Sequence, residues 1–290
     1  MMHDQAHELR ERFKRRKEGR SAKALAVISG KGGVGKSNFS LNFSLALSRK
    51  GKKVLLFDMD IGMGNIDILM GVSPAATIVD MLEEKREARE IIEEGPDGLS
   101  FIGGGSGLAE IFGMDPDKLD FFLTELDKLS YHYDYMIFDM GAGLSNDSMR
   151  FVFAAEEIIL ITTPEPTSIT DAYAVMKYIV LHHQEASFHL LVNRVFSAKE
   201  GRQTGERFSN AIQTFLKKDI HMLGSIPDDR NLQKAVLRQM PFLLYNPRGP
   251  ASMSITAIAD EFLSSGNIGI HPSKQRFLTK LRNYFFERQG

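Results

Sequence analysis

The sequence predicts an α/β fold: a mostly parallel sheet covered by helices on both faces. Three observations carry this. Short apolar runs recur along the chain with little polar alternation, as strands buried on both faces require. Stretches of helical period separate them, which lets successive strands run parallel. The chain has 290 residues, 43% hydrophobic and 25% charged, enough for one large core with appendages.

The elements follow in order. Residues 1–20 hold seven Lys or Arg against four Asp or Glu, and 1–21 are expected to be a tail ahead of the domain. Ala24–Ser29 (ALAVIS) is a strand ending in glycines, and Lys36 to Lys50 carries helical spacing through Phe39, Phe43, Ala46 and Leu47. Val54–Phe57, Leu99–Ile102 and Tyr135–Phe138 read as further strands, with a helix through Asp117–Leu129. Strand Ile158–Thr162, helix Ser168–His183, strand Phe188–Val192, helix Thr204–Leu216 and strand His221–Ile226 continue the alternation. With no fixed-period repeat, residues 22–265 read as one domain. Residues 266–290 are then a joint (GNIGIHP) and a last, separate helix.

Composition excludes several classes of function. Without cysteine there can be no disulfide, thiolate zinc site, iron–sulfur cluster or cysteine nucleophile. No run approaches the ~18 apolar residues of a membrane span, and the first residues are charged where an export signal is apolar. A cytoplasmic protein is expected. The net charge of −1 argues against a nucleic-acid partner on global grounds.

Chemistry concentrates at Gly30-Lys31-Gly32-Gly33-Val34-Gly35-Lys36-Ser37, between a strand and a helix start. Glycines let backbone N–H groups wrap phosphates, and the helix N-terminus adds partial positive charge. Lys36 is expected on the β- and γ-phosphates of ATP and Ser37 on Mg²⁺, with Gly32, Gly33, Val34, Gly35 and Asn38 lining the nucleotide. Two acidic strand ends follow, Asp58-Met59-Asp60 and Asp139-Met140-Gly141. A carboxylate there can reach the metal or the attacking water, whereas within the sheet its burial would be costly. Asn193, ending a later strand, offers a donor and an acceptor side by side, which suits an adenine edge.

The spacing of Lys31 and Lys36 resembles the deviant Walker A family, P-loop NTPases of the MinD/ParA type that include septum-placing, plasmid-partition and nitrogenase iron proteins. The resemblance implies that Lys31 reaches across an ATP-dependent homodimer to the nucleotide of the other copy. It implies Asp60 near the attacking water and within reach of the metal, Asp139 as the carboxylate held to magnesium through water, and Gly143 as the glycine sensing the γ-phosphate. It also implies Pro227 and Asp228 beside Asn193 at the base.

Thr162–Tyr173 (TTPEPTSITDAY), with Asp139–Gly143 (DMGAG), resembles the FlhG branch, also called YlxH or FleN, which regulates flagellar number and placement. Asp4-Gln5-Ala6-His7-Glu8-Leu9-Arg10 matches the element with which that branch stimulates the GTPase FlhF. Asp4, Gln5, Ala6, Leu9 and Arg10 are its expected contacts, and either Gln5 or Arg10 could act chemically. Contacts with flagellar basal-body proteins are left open. The last segment places Phe277, Leu278, Leu281, Tyr284 and Phe285 on one helical face, with Phe286 adjoining and basic residues opposite. This is the pattern of an interfacial helix on anionic lipid, and an ATP dimer peripherally bound to the membrane is expected. The same helix could instead pack on the domain. Rival readings are a partition ATPase whose ATP dimer binds DNA non-specifically, a metabolic ligase, and a scaffold with negligible turnover; absent cysteines remove the iron-protein version.

Overall fold

The computed structural model describes residues 21–60, 65–103, 116–141, 148–182, 186–265 and 277–286. Its strands are β1 (Lys23–Ser29), β2 (Val54–Met59), β3 (Glu93–Glu94), β4 (Ser100–Ile102), β5 (Tyr135–Met140), β6 (Glu157–Thr162), β7 (Ser187–Val195) and β8 (His221–Pro227). The helices are α1 (Lys36–Arg49), α2 (Ile66–Met70), α3 (Ile78–Glu84), α4 (Pro116–Ser130), α5 (Ser148–Ala154), α6 (Pro166–His182) and α7 (Ala198–Leu216). They continue with α8 (Arg230–Leu237), α9 (Phe242–Tyr245), α10 (Pro250–Ser265) and α11 (Phe277–Phe286).

The strands form one sheet in the order β3-β4-β2-β5-β1-β6-β7-β8, and only the edge strand β3 is antiparallel. The expected strands are all present, several a few residues longer. β5 continues to Met140 because Asp139 and Met140 still pair with Asp58 and Met59 of β2. Alternation along β1 divides the core: Leu25 and Val27 face one layer, while Ala24, Ala26 and Ile28 face the other. α1 and α10 cover the first layer, where Phe39 stacks on Phe43 and Phe43 meets Phe262 edge-on. α4, α5 and α6 cover the second around Phe122, Phe138 and Phe151.

α11 belongs to that second layer, so the expectation of a separate last helix is corrected. Phe277, Leu281 and Phe285 are buried and Leu278 is partly buried, while Phe286 stays exposed at its edge. The Phe277 ring lies 5.1 Å from Phe138, and Phe285 lies 6.0 Å edge-on from Phe151. Arg150 stands over the Phe285 ring at 4.6 Å, and Arg282 pairs with Asp120 of α4. The face read as lipid-seeking is occupied by the domain because Phe138 of β5 and Phe151 of α5 offer it an aromatic bed.

Candidate functional site

The site lies at the carboxyl ends of β1, β2 and β5, where open α/β sheets bind ligands. Val27 and Asp58 both flank Asp139 in register, which brings the two acidic strand ends together. The glycine loop closes over them from β1 into α1. Gly33 and Gly35 adopt φ of 76° and 91°, a region that side chains rarely enter, and Gly35 is the residue that starts α1. Gly30 passes so close to α6 that a Cβ there would lie 2.2 Å from the Asp171 backbone.

Lys36 Nζ donates to Asp139 Oδ1 at 2.8 Å, and both side chains are buried. Ser40 Oγ, one helical turn beyond Lys36, donates to the same oxygen at 2.8 Å. Asp139 Oδ2 is buried and has no hydrogen-bond partner among the described residues. Asp58 is fully buried but well supplied, accepting from the N–H groups of Asp60, Asn65 and Ile66 at 3.1, 2.7 and 3.0 Å. Burial first, and Asp139 beside it second, push its pKa up to about 6 against those three donors. Asp58 and Asp139 are both buried at this strand edge, and the hydrogen bonds to Asp58 and to Asp139 Oδ1 offset part of the cost.

Asp60 is more open. Asn65 Nδ2 holds its Oδ2 at 3.0 Å, and burial raises its pKa, with Lys36 opposing and Asp139 reinforcing. Gly141 leaves room for it, since a Cβ there would stand 3.0 Å from Asp60 Oδ1. Lys31 does not fold back onto the loop; it is half-exposed and pairs with Glu165 at 3.2 Å, at the start of α6.

A cavity of about 200 Å³ adjoins the loop, lined by Gly35, Asn38, Asn193, Arg194, Pro227 and Asp228 among others. Its residue types match the expected base pocket, but Asn193 is already committed. Its Nδ2 donates to Val34 O at 2.7 Å and its Oδ1 accepts from Arg194 N–H at 2.9 Å. In this arrangement it braces the glycine loop; of the two carboxylates lining the cavity, Asp229 caps the next helix by accepting from Asn231 N–H, and Asp228 is the one left for a ligand. Ser37 sits half-buried at the helix start. Gly143, and Asp4, Gln5, Ala6, Leu9 and Arg10, lie outside the described residues.

Sequence reasoning missed Ser40, Asn65 and Glu165. Ser40 carried a usable signal, a hydroxyl four positions after Lys36 and so on the same face of the helix that follows the glycine loop.

The family model for the CobQ/CobB/MinD/ParA nucleotide-binding domain matches residues 25–242. The chain belongs to that family. Within it, the chain is 35% identical to the antiactivator FleN of Pseudomonas aeruginosa over 82% of its own length and 85% of that protein. It is 38% identical to the flagellum site-determining protein YlxH of Helicobacter pylori, over 86% and 84%. These place it in the FlhG branch. Among solved structures, MinD of Aquifex aeolicus superposes with a TM-score of 0.66 at 26% identity, covering 84% of this chain and 97% of that one. MinD of Pyrococcus horikoshii, complexed with Mg-ADP, shares the fold with a TM-score of 0.68 at 23% identity, over 86% and 99%.

The protein is thus a MinD/ParA-type P-loop ATPase that converts ATP and water to ADP and phosphate. Lys36 Nζ, which rests on Asp139 here, is the cation that would meet phosphate oxygens and offset the charge that accumulates as the β–γ bridging bond breaks. Asp60, held by Asn65, can orient a water for in-line attack on the γ-phosphorus, the water's proton passing to phosphate. The donor set fits a hard divalent cation: Asp139 Oδ2 is an unused oxygen, Ser37 follows Lys36 in the first turn of α1, and among the described residues there is no three-ligand cluster of a dedicated metal cage. Ser37 and Asp139 would hold Mg²⁺, with Asp60 near, and when bound it would neutralise phosphate charge.

Proposed function

We propose that this ATPase is a dimerising switch that regulates flagellar number and placement, with Mg²⁺ and ATP driving dimerisation. The observation carrying the reading is Lys31. The signature lysine stays at the surface on Glu165 while Lys36 turns inward to Asp139, so Lys31 is placed to meet a γ-phosphate presented by a second copy. An exposed pair of this kind is worth ~0–1 kcal/mol, little to give up for a phosphate.

α11 supports a membrane readout. It lies on α5 and on Phe138, the residue before Asp139 on β5, so a change at the phosphates has a short route to the helix's bed. Release would present Phe277, Leu278, Leu281 and Phe285, beside the already exposed Phe286, to anionic lipid, twice per dimer, with avidity gains of ~10²–10⁴ if both copies engage. Among the described residues no helix is long and apolar enough to cross a membrane, so this contact would be peripheral. Residues 4–10 would meanwhile stimulate FlhF. The relatives named FleN and YlxH support the flagellar assignment.

Light scattering with ATP and with ADP, repeated with anionic vesicles, tests the reading. A dimer in ATP alone, bound to vesicles, is expected; equal mass in both nucleotides would overturn it. Salt-sensitive binding to DNA by the ATP form would favour a partition-type function instead.

A further inference from the structure

We infer that Ser40 is a positioning residue for the magnesium site, holding Asp139 in its metal-facing orientation after Lys36 has left it. The inference rests on the reading that this site takes Mg²⁺ with its nucleotide.

Asp139 Oδ1 has two donors, Lys36 Nζ and Ser40 Oγ, each at 2.8 Å. They are not equivalent. Lys36 must swing to the phosphates when nucleotide binds, whereas Ser40 is fixed in the interior of α1, fully buried between Phe39 and Leu41. Its hydroxyl has no solvent to turn to, and its carbonyl accepts from Ser44 Oγ at 2.7 Å. Once Lys36 departs, Ser40 is the donor to Oδ1 that remains among the described residues. That remaining bond to Oδ1 restrains the carboxylate's rotation and leaves Oδ2, which has no partner among the described residues, as the oxygen available to a metal-bound water. Helix formation gives no reason for a serine here, since alanine is the better helix former. The carboxylate does: with alanine at 40, a buried oxygen loses its donor in the nucleotide-bound state.

The test compares Ser40→Ala, Ser40→Thr and wild type by titrating Mg²⁺ against a fluorescent ADP analogue, with a parallel series in EDTA. Ser40→Ala is expected to raise the Mg²⁺ midpoint by ~10-fold, the usual loss when a group orienting a metal ligand is removed, while metal-free ADP affinity is unchanged. Ser40→Thr, which keeps the hydroxyl, should restore the midpoint. Ser40→Cys, a weaker donor of similar size, should fall between, and serves if the alanine variant does not fold. A midpoint within twofold of wild type in both Ser40→Ala and Ser40→Cys overturns the inference. So does an equal loss of ADP affinity in EDTA, which would make Ser40 merely structural. If the wild type binds ADP without responding to Mg²⁺ at all, the metal reading itself fails and this inference with it.

Discussion

Replacing Arg150 by alanine should loosen α11 without touching α11. Arg150 lies on α5, on the docking bed, with its guanidinium 4.6 Å from the centre of the Phe285 ring. At a half-buried site a cation–π contact is worth about 1 kcal/mol, which corresponds to about a fivefold change in the docked-to-undocked ratio. The apolar contacts of Phe277 and Leu281 remain, so the helix should still be mostly docked. Amide exchange in the ADP state reads this directly. The amides of 277–286 should exchange about fivefold faster, while those of β1 and β5 keep their rates, because the opening is local. Vesicle binding in ADP should rise in step, since the lipid-facing side chains are intact. Phe277→Glu with Leu281→Glu separates the two claims: exchange should accelerate further, yet vesicle binding should disappear. Unchanged exchange in Arg150→Ala would refute the docking energetics. Faster exchange without vesicle binding would leave the docking intact and refute the membrane role.

Asp60→Ala should keep ATP binding and dimerisation but lower turnover by ~10²-fold or more, as loss of a water-positioning carboxylate does; equal loss of ATP affinity, measured by calorimetry, would show the role misassigned. Lys36→Gln should weaken binding of both ATP and ADP by about 10–100-fold, because a charged hydrogen bond to phosphate is worth ~1.5–3 kcal/mol. Glu157 sets a pH dependence. Burial opposes its charge, but His189 at 3.1 Å and Lys23 outweigh it and hold its pKa below the ordinary 4.5. The folded chain therefore binds this proton less tightly than the unfolded one, so the stabilisation is complete above the ordinary glutamate range and is lost as pH falls through the lowered value. Thermal melts across that acid range should show a shallower loss in Glu157→Gln, and parallel curves would exclude the pair as a source of acid sensitivity. A free peptide of residues 1–20 should stimulate FlhF without ATP, with Leu9→Ala raising the peptide concentration required and the chemical participant, Gln5 or Arg10, lowering the maximal rate. Stimulation by the intact protein alone would place the site partly in the folded domain.

The phosphate loop, the parallel sheet and the acidic strand ends were legible in the sequence because each is written in contiguous residues: glycines where φ turns positive, apolar runs where both faces are covered, aspartates where strands stop. α5 was not. Its seven residues, SMRFVFA, are buried almost all round and carry no amphipathic period to distinguish helix from strand. The role of Asn193 was half legible. Its position at a strand end followed from the run before it, but that its amide braces Val34 depends on β7 and the loop meeting across 159 residues. Ser40 and Asp139 are likewise joined across 99 residues, a pairing that no local pattern specifies. For α11 the sequence determined an amphipathic helix and left two destinations for its apolar face. A hydrophobic stripe is complementary to any apolar surface, bilayer or protein, because the driving force has no direction. Only the tertiary structure, by building an aromatic bed from Phe138 and Phe151 under a helix that begins at Phe277, decided where that face rests in this state.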